Sequence, residues 1–410
     1  MEEVDIAYIR TVLDEAYDRL AEAYVASSAL GPVRDYLAAD RVDRELWALF
    51  CALVDFQVPV ERHLNPMLRG LIKYMETEGL HFSDLLYKPR LARRILEEFE
   101  WRTPRGKVRR GFTHRFVKVS DLLRLFCAFR SLIERHGSIG ALARGLYSEA
   151  KKEGDAEPVE RVLRGIAREL VKHGAKPGLV PVSRNSAFKR LNLFLRWMVR
   201  PHPDLHLWNF INTQHLLVSL DEGLARILNR AFLLKVRPNW RGVLKATHLL
   251  RKVNPRDPAK YDYVLSRLAI MGYCAKELSR SNCHICPIAV VCKCSGVVSA
   301  PRHKPLAGEE GAIFQRYLYS LRDEVDRVVT EYPLGKFSAD ALIHLKTCTE
   351  LIVEVERELN YQAVGQVMLY RYLYYKRTRR MAKPVIVCST AKSELMEMCV
   401  KELGIKVIIV

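Results

Sequence analysis

The chain has 410 residues, 49% of them hydrophobic and 28% charged, with 66 Lys+Arg against 47 Asp+Glu for a net charge of +19. That length holds two or three domains with real cores, and that balance excludes a disordered or fibrous chain. No apolar run approaches the ~20 residues needed to cross a bilayer, and the acidic start M-E-E-V-D-I-A-Y-I-R is unlike a secretory signal.

Cys51, Cys127, Cys294, Cys348, Cys388 and Cys399 are scattered and frame no disulfide network, so the reading is a cytoplasmic protein with no membrane partner. Ten Asn and five Gln are few for this length, a lean towards a thermophile. The charge is uneven: 51 Lys+Arg face 33 Asp+Glu before Ala307, and 15 face 14 from there to the end. An excess gathered in the larger, N-terminal part points to a polyanion, with nucleic acid the usual candidate. Basic segments there include R-L-A-R-R and R-G-K-V-R-R between Arg90 and Arg110, and S-R-N-S-A-F-K-R from Ser183 to Arg190.

In chain order, apolar spacing predicts almost continuous helix over the first ~300 residues. The pattern recurs in I-A-Y-I-R-T-V-L-D-E-A-Y-D-R-L, L-W-A-L-F-C-A-L-V and V-S-D-L-L-R-L-F-C-A-F-R-S-L-I, the last with Ser120 as the expected N-cap. Further helices fit 157–174, 186–200, 221–233, 240–251 and 259–273, with breaks at T-P-R-G-K, H-G-A-K-P-G and R-P-H-P-D. Next come Cys274, Cys283, Cys286 and Cys292, spaced C-x8-C-x2-C-x5-C. Four thiolates this close suit a [4Fe–4S] cluster, with structural zinc or no metal as the alternatives, because zinc sites more often use two separated C-x2-C pairs. Cys294 reads as a bystander. The stretch 296–311, rich in Gly and Pro, reads as a linker.

After it the grammar changes. A helix over 312–331 is followed by F-S-A-D-A-L-I-H-L, T-E-L-I-V-E-V-E, a helix over 358–375, P-V-I-V-C, a helix and I-K-V-I-I-V. Strands interleaved with helices predict a small α/β domain. The expected fold class is thus α plus α/β: a helical domain, 1–295, with a cysteine loop at 274–292, then the linker, then an α/β domain, 312–410.

The basic helical domain ending in this cysteine loop resembles the helix-hairpin-helix DNA glycosylase superfamily, endonuclease III-like branch, whose cysteine motif has the same x2 and x5 gaps and a slightly shorter first gap. A closer resemblance is to an uncharacterised bacterial and archaeal family within it. That resemblance lies in G-F-T-H-R-F, F-K-R-L-N-L-F-L-R-W-M-V-R, L-V-S-L-D-E-G-L-A-R-I and N-P-R-D-P-A-K-Y-D-Y-V-L-S-R-L, roughly residues 60–295. It implies a catalytic lysine, Lys189, and a catalytic aspartate, Asp221, at a spacing similar to that of the archaeal 8-oxoguanine glycosylase branch. It also implies a repair enzyme, a bifunctional glycosylase/AP lyase on damaged double-stranded DNA, with 8-oxoguanine the default base. The chain departs from the superfamily where its L-P-G-x-G hairpin should stand: R-P-H-P-D-L-H-L-W-N-F-I-N-T replaces it.

The residues suit that chemistry. Such an enzyme must extrude its nucleotide, and Phe188, Phe194, Trp197, Trp208 and Phe210 are candidates to stack on it, with helix core the alternative for all five and the favoured reading for Phe194 and one of the two tryptophans. Asp221 would stabilise positive charge developing on the sugar, and Lys189 would attack C1′ to form a Schiff base. A cationic neighbour, Arg190 or Arg196, is expected to lower the lysine pKa. Arg190, Arg196, Trp197, Arg200 and Gln366 are the expected DNA or base contacts. For Lys189 the alternative is a phosphate-binding or solvated lysine, for Asp221 an ordinary acidic helix start; Asp262 reads as structural.

The tail resembles a PD-(D/E)xK nuclease fold, which implies Asp340, Glu354 and Glu356 as a metal site for Mg²⁺ or Mn²⁺, Gln366 and Tyr370 as a Q-x3-Y motif, and Glu331 as a further carboxylate. Glu356 stands where that family has lysine, with Lys336 as the alternative amine. The readings that follow are a metal-dependent endonuclease, a degenerate DNA-binding or docking module, or an unrelated α/β domain.

Overall fold

A computed structural model describes residues 3–38, 40–283, 286–294, 306, 308–321, 323–335, 337–347 and 349–410. The chain divides into two compact units, Met1–Arg280 with Cys286–Lys293, and Ser281–Ile285 with Cys294–Val410. Of the expected linker, 296–305 and 307 lie outside the described residues, as do Lys336 and Cys348. Among the described residues no helix is long and apolar enough to cross a membrane.

The first unit is helical. Helices α1 (Glu3–Ser27), α2 (Leu30–Asp35) and α3 (Arg41–Val54) open it, and a π-helical turn (Val60–Leu64) leads into α4 (Asn65–Thr77), α5 (Asp84–Tyr87) and α6 (Pro89–Glu98). Helix α3 is the central rod: Asp40 caps it by accepting from the Val42 N–H at 3.1 Å, and every residue from Glu45 to Val54 is buried. Then come α7 (Val119–His136), α8 (Ile139–Lys152), α9 (Pro158–Lys172), α10 (Lys189–Val199), α11 (Glu222–Phe232), α12 (Trp240–Val253) and α13 (Asp262–Ile270). One apolar core runs through these helices from Ile9 to Ile288.

Two local expectations are corrected. Helix α7 starts two residues earlier than the Ser120 cap implied: Lys118 is the N-cap residue, and the Asp121 carboxylate accepts from its N–H at 3.1 Å. The T-P-R-G-K break is the tip of a β-hairpin, Glu100–Arg102 (β1) antiparallel to Val108–Arg110 (β2), with Glu100 opposite Arg110. Its strands are three residues long and almost wholly exposed, so they carry no alternation to read.

The second unit is a five-stranded mixed sheet in the order β3-β4-β5-β6-β7: Val325–Leu334, Phe337–Leu345, Glu350–Glu358, Lys383–Thr390 and Lys406–Ile409. The first three strands are antiparallel and the last three parallel, with Ala341 opposite Val353 and Val353 opposite Val385. Helix α14 (Gly308–Ser320) packs Ile313, Phe314 and Tyr317 on one face of the sheet. Helix α15 (Tyr361–Thr378) packs Val367, Tyr370 and Tyr374 on the other, and α16 (Ser393–Lys401) follows β6. The helix expected over 312–331 ends at Ser320, and its second half is strand β3. V-D-R-V-V-T-E-Y-P-L is rich in β-branched residues and folds back on β4 through Gly335, at φ +79°, so cross-strand pairing overrides its helical spacing.

Candidate active site

Lys189 is the first residue of α10, and the residue before it, Phe188, has left-handed backbone at φ 47°. That conformation is strained for a non-glycine residue and is held by its surroundings. The Phe188 ring is buried edge-on to Trp240 with centroids 5.9 Å apart, and the Arg164 guanidinium lies over both rings. A lysine at a helix N-terminus opposes the helix dipole, so its place there is not explained by helix stability.

Asp221 is the N-cap of α11, and its two carboxylate oxygens do different things. Oδ1 accepts from the Leu224 N–H at 2.8 Å, and Oδ2 lies 3.1 Å from Lys189 Nζ. The helix-start role and the lysine-facing role are therefore met together. The strand of chain before Asp221 is fixed by buried bonds: Val218 N–H to Thr247 Oγ1 at 3.1 Å and Ser219 N–H to Asp262 Oδ2 at 2.9 Å.

Both residues line one cavity of about 440 Å³, together with Tyr24, Asp55, Glu61, Arg196, Asp262 and Arg267. Lys189 and Asp221 keep 38% and 36% side-chain exposure, so the pair is open to a ligand while set in the wall. Burial alone would push the Lys189 amine down, but the charges of Asp55 and Asp221 and the hydrogen bond to Asp221 outweigh it and hold the pKa above the ordinary lysine value. Asp55 is itself pushed up, by burial first and by Asp221, against the pull of Lys189 and Arg190. The expectation that a cationic neighbour lowers the lysine pKa is corrected: the groups that dominate are carboxylates.

Several residues expected at a DNA surface lie inside the protein instead. Arg196 is 1% exposed, donates to Tyr24 Oη at 2.6 Å and lies 3.6 Å from Asp262. Arg200 is 3% exposed and donates to Asp204 and Asp257, each at 2.8 Å. Asp204 comes from the R-P-H-P-D segment, which therefore anchors a buried ion network. Phe188, Phe194, Trp197 and Trp208 are fully buried, and Phe210, half-buried, stacks on Trp208 at 5.5 Å. Among the described residues that line the cavity, Tyr24 is the one aromatic. Arg190 is half-buried, donating to the Leu53 and Gly178 carbonyls at 3.0 and 3.2 Å, with its guanidinium over Phe56.

Cys274, Cys286 and Cys292 are half-buried and pack against the first core, while Cys283 is buried and falls within the second unit. Cys274 Sγ accepts from Arg230 Nη1 at 3.2 Å. Arg226 and Arg230 of α11 also bind the Cys274, Ala275 and Lys276 carbonyls, and the Lys293 N–H reaches the Ala231 carbonyl at 3.0 Å. The helix capped by Asp221 thus holds both ends of the cysteine segment. Among the described residues, no three His, Cys, Asp or Glu side chains are placed to hold a single metal ion.

In the second unit Asp340 Oδ2 accepts from the Val355 N–H at 2.7 Å, beside Glu354 and Glu356 on β5. Glu354 is 5% exposed and its Oε2 has no partner. Burial first, then Asp340 and Glu356, push its pKa up to about 8, and Asp340 rises to about 6 from burial, Glu310, Glu356 and Glu331. No ion pair reaches these carboxylates among the described residues. Gln366 donates to Tyr370 Oη at 3.4 Å, one turn along α15, and the Gln366 carbonyl oxygen is buried without a partner. Glu331 lies within β3.

A family model described as "Protein of unknown function (DUF2400)" matches residues 36–271, more than half of the chain. The chain belongs to that family. Searches of curated proteins and of solved structures found no match. The matched DUF2400 span holds Asp55, Lys189, Asp221 and the β1–β2 hairpin, and ends before the first cysteine of the motif. Tyr24 precedes it, in α1. Sequence reasoning missed Asp55, Tyr24, Glu61 and Arg267. Asp55 had a visible signal, a carboxylate that directly follows the apolar run L-W-A-L-F-C-A-L-V; the others carry none outside their fold.

Proposed function

We propose that the chain is a DNA repair enzyme, a bifunctional glycosylase/AP lyase that uses Lys189 and Asp221 on a nucleotide everted into their cavity. The observation that carries the reading is the 3.1 Å Lys189–Asp221 pair, partly exposed in the wall of a cavity of about 440 Å³, a size within the range of small-molecule sites. As the glycosidic bond lengthens, the base leaves with the bonding electrons and takes a proton, and positive charge grows on the sugar. Asp221 stabilises that charge. The same charge opposes the Lys189 ammonium, so its proton passes to a carboxylate, and the neutral amine attacks C1′. The C1′–O4′ bond then opens, the ring oxygen taking the proton of the new C–N ammonium, and the resulting imine permits loss of a C2′ proton with β-elimination of the 3′ phosphate. 8-Oxoguanine is the default substrate.

Cys274, Cys283, Cys286 and Cys292 are the residues that would hold a [4Fe–4S] cluster. The donor set is all thiol, and a cube ligates each thiolate at a separate iron, so the sulfurs need not converge on one point. The Arg230 bond to Cys274 Sγ fits such a ligand. When bound, the group would serve as a structural tie.

The test is borohydride capture on a panel of damaged duplexes. Covalent capture that survives EDTA and is lost in Lys189→Ala supports the proposal. A second reading, a metal-dependent endonuclease, is favoured by the unpartnered Glu354 oxygen among raised carboxyls. It requires cleavage that depends on Mg²⁺ or Mn²⁺ and is abolished by Glu354→Ala. Duplex binding with neither activity leaves a non-catalytic DNA-binding protein.

A further inference from the structure

We propose that the β1–β2 hairpin is a duplex-DNA grip, whose cations lie along the phosphates that flank the nucleotide entering the Lys189–Asp221 cavity. The proposal rests on the repair-enzyme reading and adds the surface that holds the substrate. The hairpin E-W-R-T-P-R-G-K-V-R-R packs Arg102, Arg105, Lys107, Arg109 and Arg110 into eleven residues with one carboxylate, Glu100. All three residues of β2 are exposed, and of β1 only Trp101 is buried. A strand that packs on a core alternates buried and exposed side chains. Apart from Trp101 this ribbon buries no side chain of its strands, so packing does not account for its cations.

The root of the hairpin is nonetheless firmly held. Trp101 is 3% exposed, donates from Nε1 to the Gly111 carbonyl at 3.0 Å and meets His63 edge-on at 4.9 Å. Gly70 makes room for it: a Cβ there would sit 2.5 Å from Trp101 Cβ. Gly111, at φ +68°, turns the chain against α6, where a Cβ would meet the Glu97 carbonyl at 2.7 Å. A two-stranded ribbon alone is marginal in water, and these contacts are what fix it.

Charge supplies the partner. Arg110 has Glu98 at 3.7 Å, but Arg102, Arg105, Lys107 and Arg109 have no carboxylate partner among the described residues. Four like charges on one short ribbon repel one another unless a polyanion neutralises them. Position supplies the rest. Arg62 lines the cavity, and the next residue, His63, contacts both Trp101 and the Thr113 carbonyl, the latter at 2.6 Å. His114 bonds the Phe56 carbonyl at 3.0 Å, beside the cavity residue Asp55. The chain leaving β2 therefore runs along the cavity lip. A two-stranded ribbon also fits the width of the DNA major groove.

The experiment compares duplex binding by fluorescence anisotropy across a salt series for the wild-type chain and a variant with Arg102→Ser, Arg105→Ser, Lys107→Ser and Arg109→Ser. A control variant removes equal charge elsewhere, at the exposed Lys151, Lys152, Lys172 and Lys245. Each lost phosphate contact flattens the plot of log affinity against log salt by ~0.9. The hairpin variant should lose at least ~10-fold in affinity and ~3 in slope, with an unchanged circular dichroism spectrum. Unchanged affinity and slope, or an equal loss in the control, would overturn the inference. So would a loss confined to RNA. Capture of damaged DNA by borohydride is scored separately. A chain that binds duplex through the hairpin but is never captured sinks the glycosylase reading and leaves the grip standing. One that is captured with an unaltered slope does the reverse.

Discussion

Glu354→Gln isolates the electrostatics of the second unit. Glu354 is 5% exposed with one carboxylate oxygen unpartnered, and its pKa is pushed up from 4.5 to about 8. Glu350, four residues earlier on the same strand, shows what a partner does: Arg380 at 2.8 Å and His344 outweigh its burial and pull its pKa down to about 2. A carboxyl raised in the folded state keeps its proton where the unfolded chain has lost it. Its stabilising contribution is therefore complete below the unfolded value near 4.5 and is lost as pH rises through about 8. At ~1.4 kcal/mol per unit the full shift is worth about 5 kcal/mol, and because Asp340 and Glu356 share the same repulsion we expect about 2–3 kcal/mol from this residue. Glutamine keeps the shape and abolishes the titration. Chemical unfolding should find the variant close to wild type at pH 4.5 and about 2–3 kcal/mol more stable at pH 8.5. Added Mg²⁺ or Mn²⁺ at pH 8.5 should stabilise the wild type and leave the variant unmoved if the carboxylates hold a cation. Wild-type stability that stays level from pH 5 to pH 9, or a variant weaker than wild type at pH 8.5, would refute the account.

Asp221→Asn should fold normally, since asparagine caps a helix as well as aspartate does, yet lose at least ~100-fold in base release; Asp221→Ala should lose a further ~1 kcal/mol of stability in urea melts. Borohydride capture should climb roughly tenfold per pH unit between pH 6 and pH 9, because Lys189 is held as the ammonium; Asp55→Asn removes a charge that raises its pKa, so capture at pH 7 should increase. Arg200→Ala removes the guanidinium that Asp204 and the half-buried Asp257 both accept from, leaves buried Asp204 with Arg196 at 3.9 Å, and should cost about 3 kcal/mol of stability while leaving the salt slope of duplex binding intact. Freshly purified protein should absorb in a broad shoulder near ~400 nm, and Arg230→Ala should hasten its bleaching by oxygen.

What the sequence disclosed follows from what each feature depends on. Lys189 and Asp221 stand in ordered motifs at the starts of long amphipathic helices, so local pattern and resemblance placed them. Asp55 escaped because its meaning arises only when the end of α3 meets the start of α10, a contact between residues far apart in the chain. The arginines of L-F-L-R-W-M-V-R misled for a related reason: a basic run suggests a solvated face, but Arg196 and Arg200 are met in the interior by Asp204, Asp257 and Asp262 from other segments. Composition announces charge, and only the tertiary partners decide whether it is spent inside or offered to a ligand. Arg102, Arg105 and Arg109 of the hairpin are the converse, basic residues without a carboxylate partner among the described residues.

Helix α11 gives this arrangement a mechanical consequence. Its first turn is capped by Asp221, while Arg226 and Arg230 further along hold the chain at Cys274 and its last turn accepts from Lys293. A helix of eleven residues is stiff over that length, so its tilt is transmitted from one end to the other. Lys189 stands on a different helix, seated by the buried Phe188 and Trp240 rings. Whatever ties the cysteine segment therefore acts on one partner of the Lys189–Asp221 pair and not on the other. If a cluster makes that tie, its loss should misalign Asp221 first. Capture would weaken even though the Lys189 amine still lies in its cavity, and a glutamate at 221, reaching further along the same line, would recover part of it.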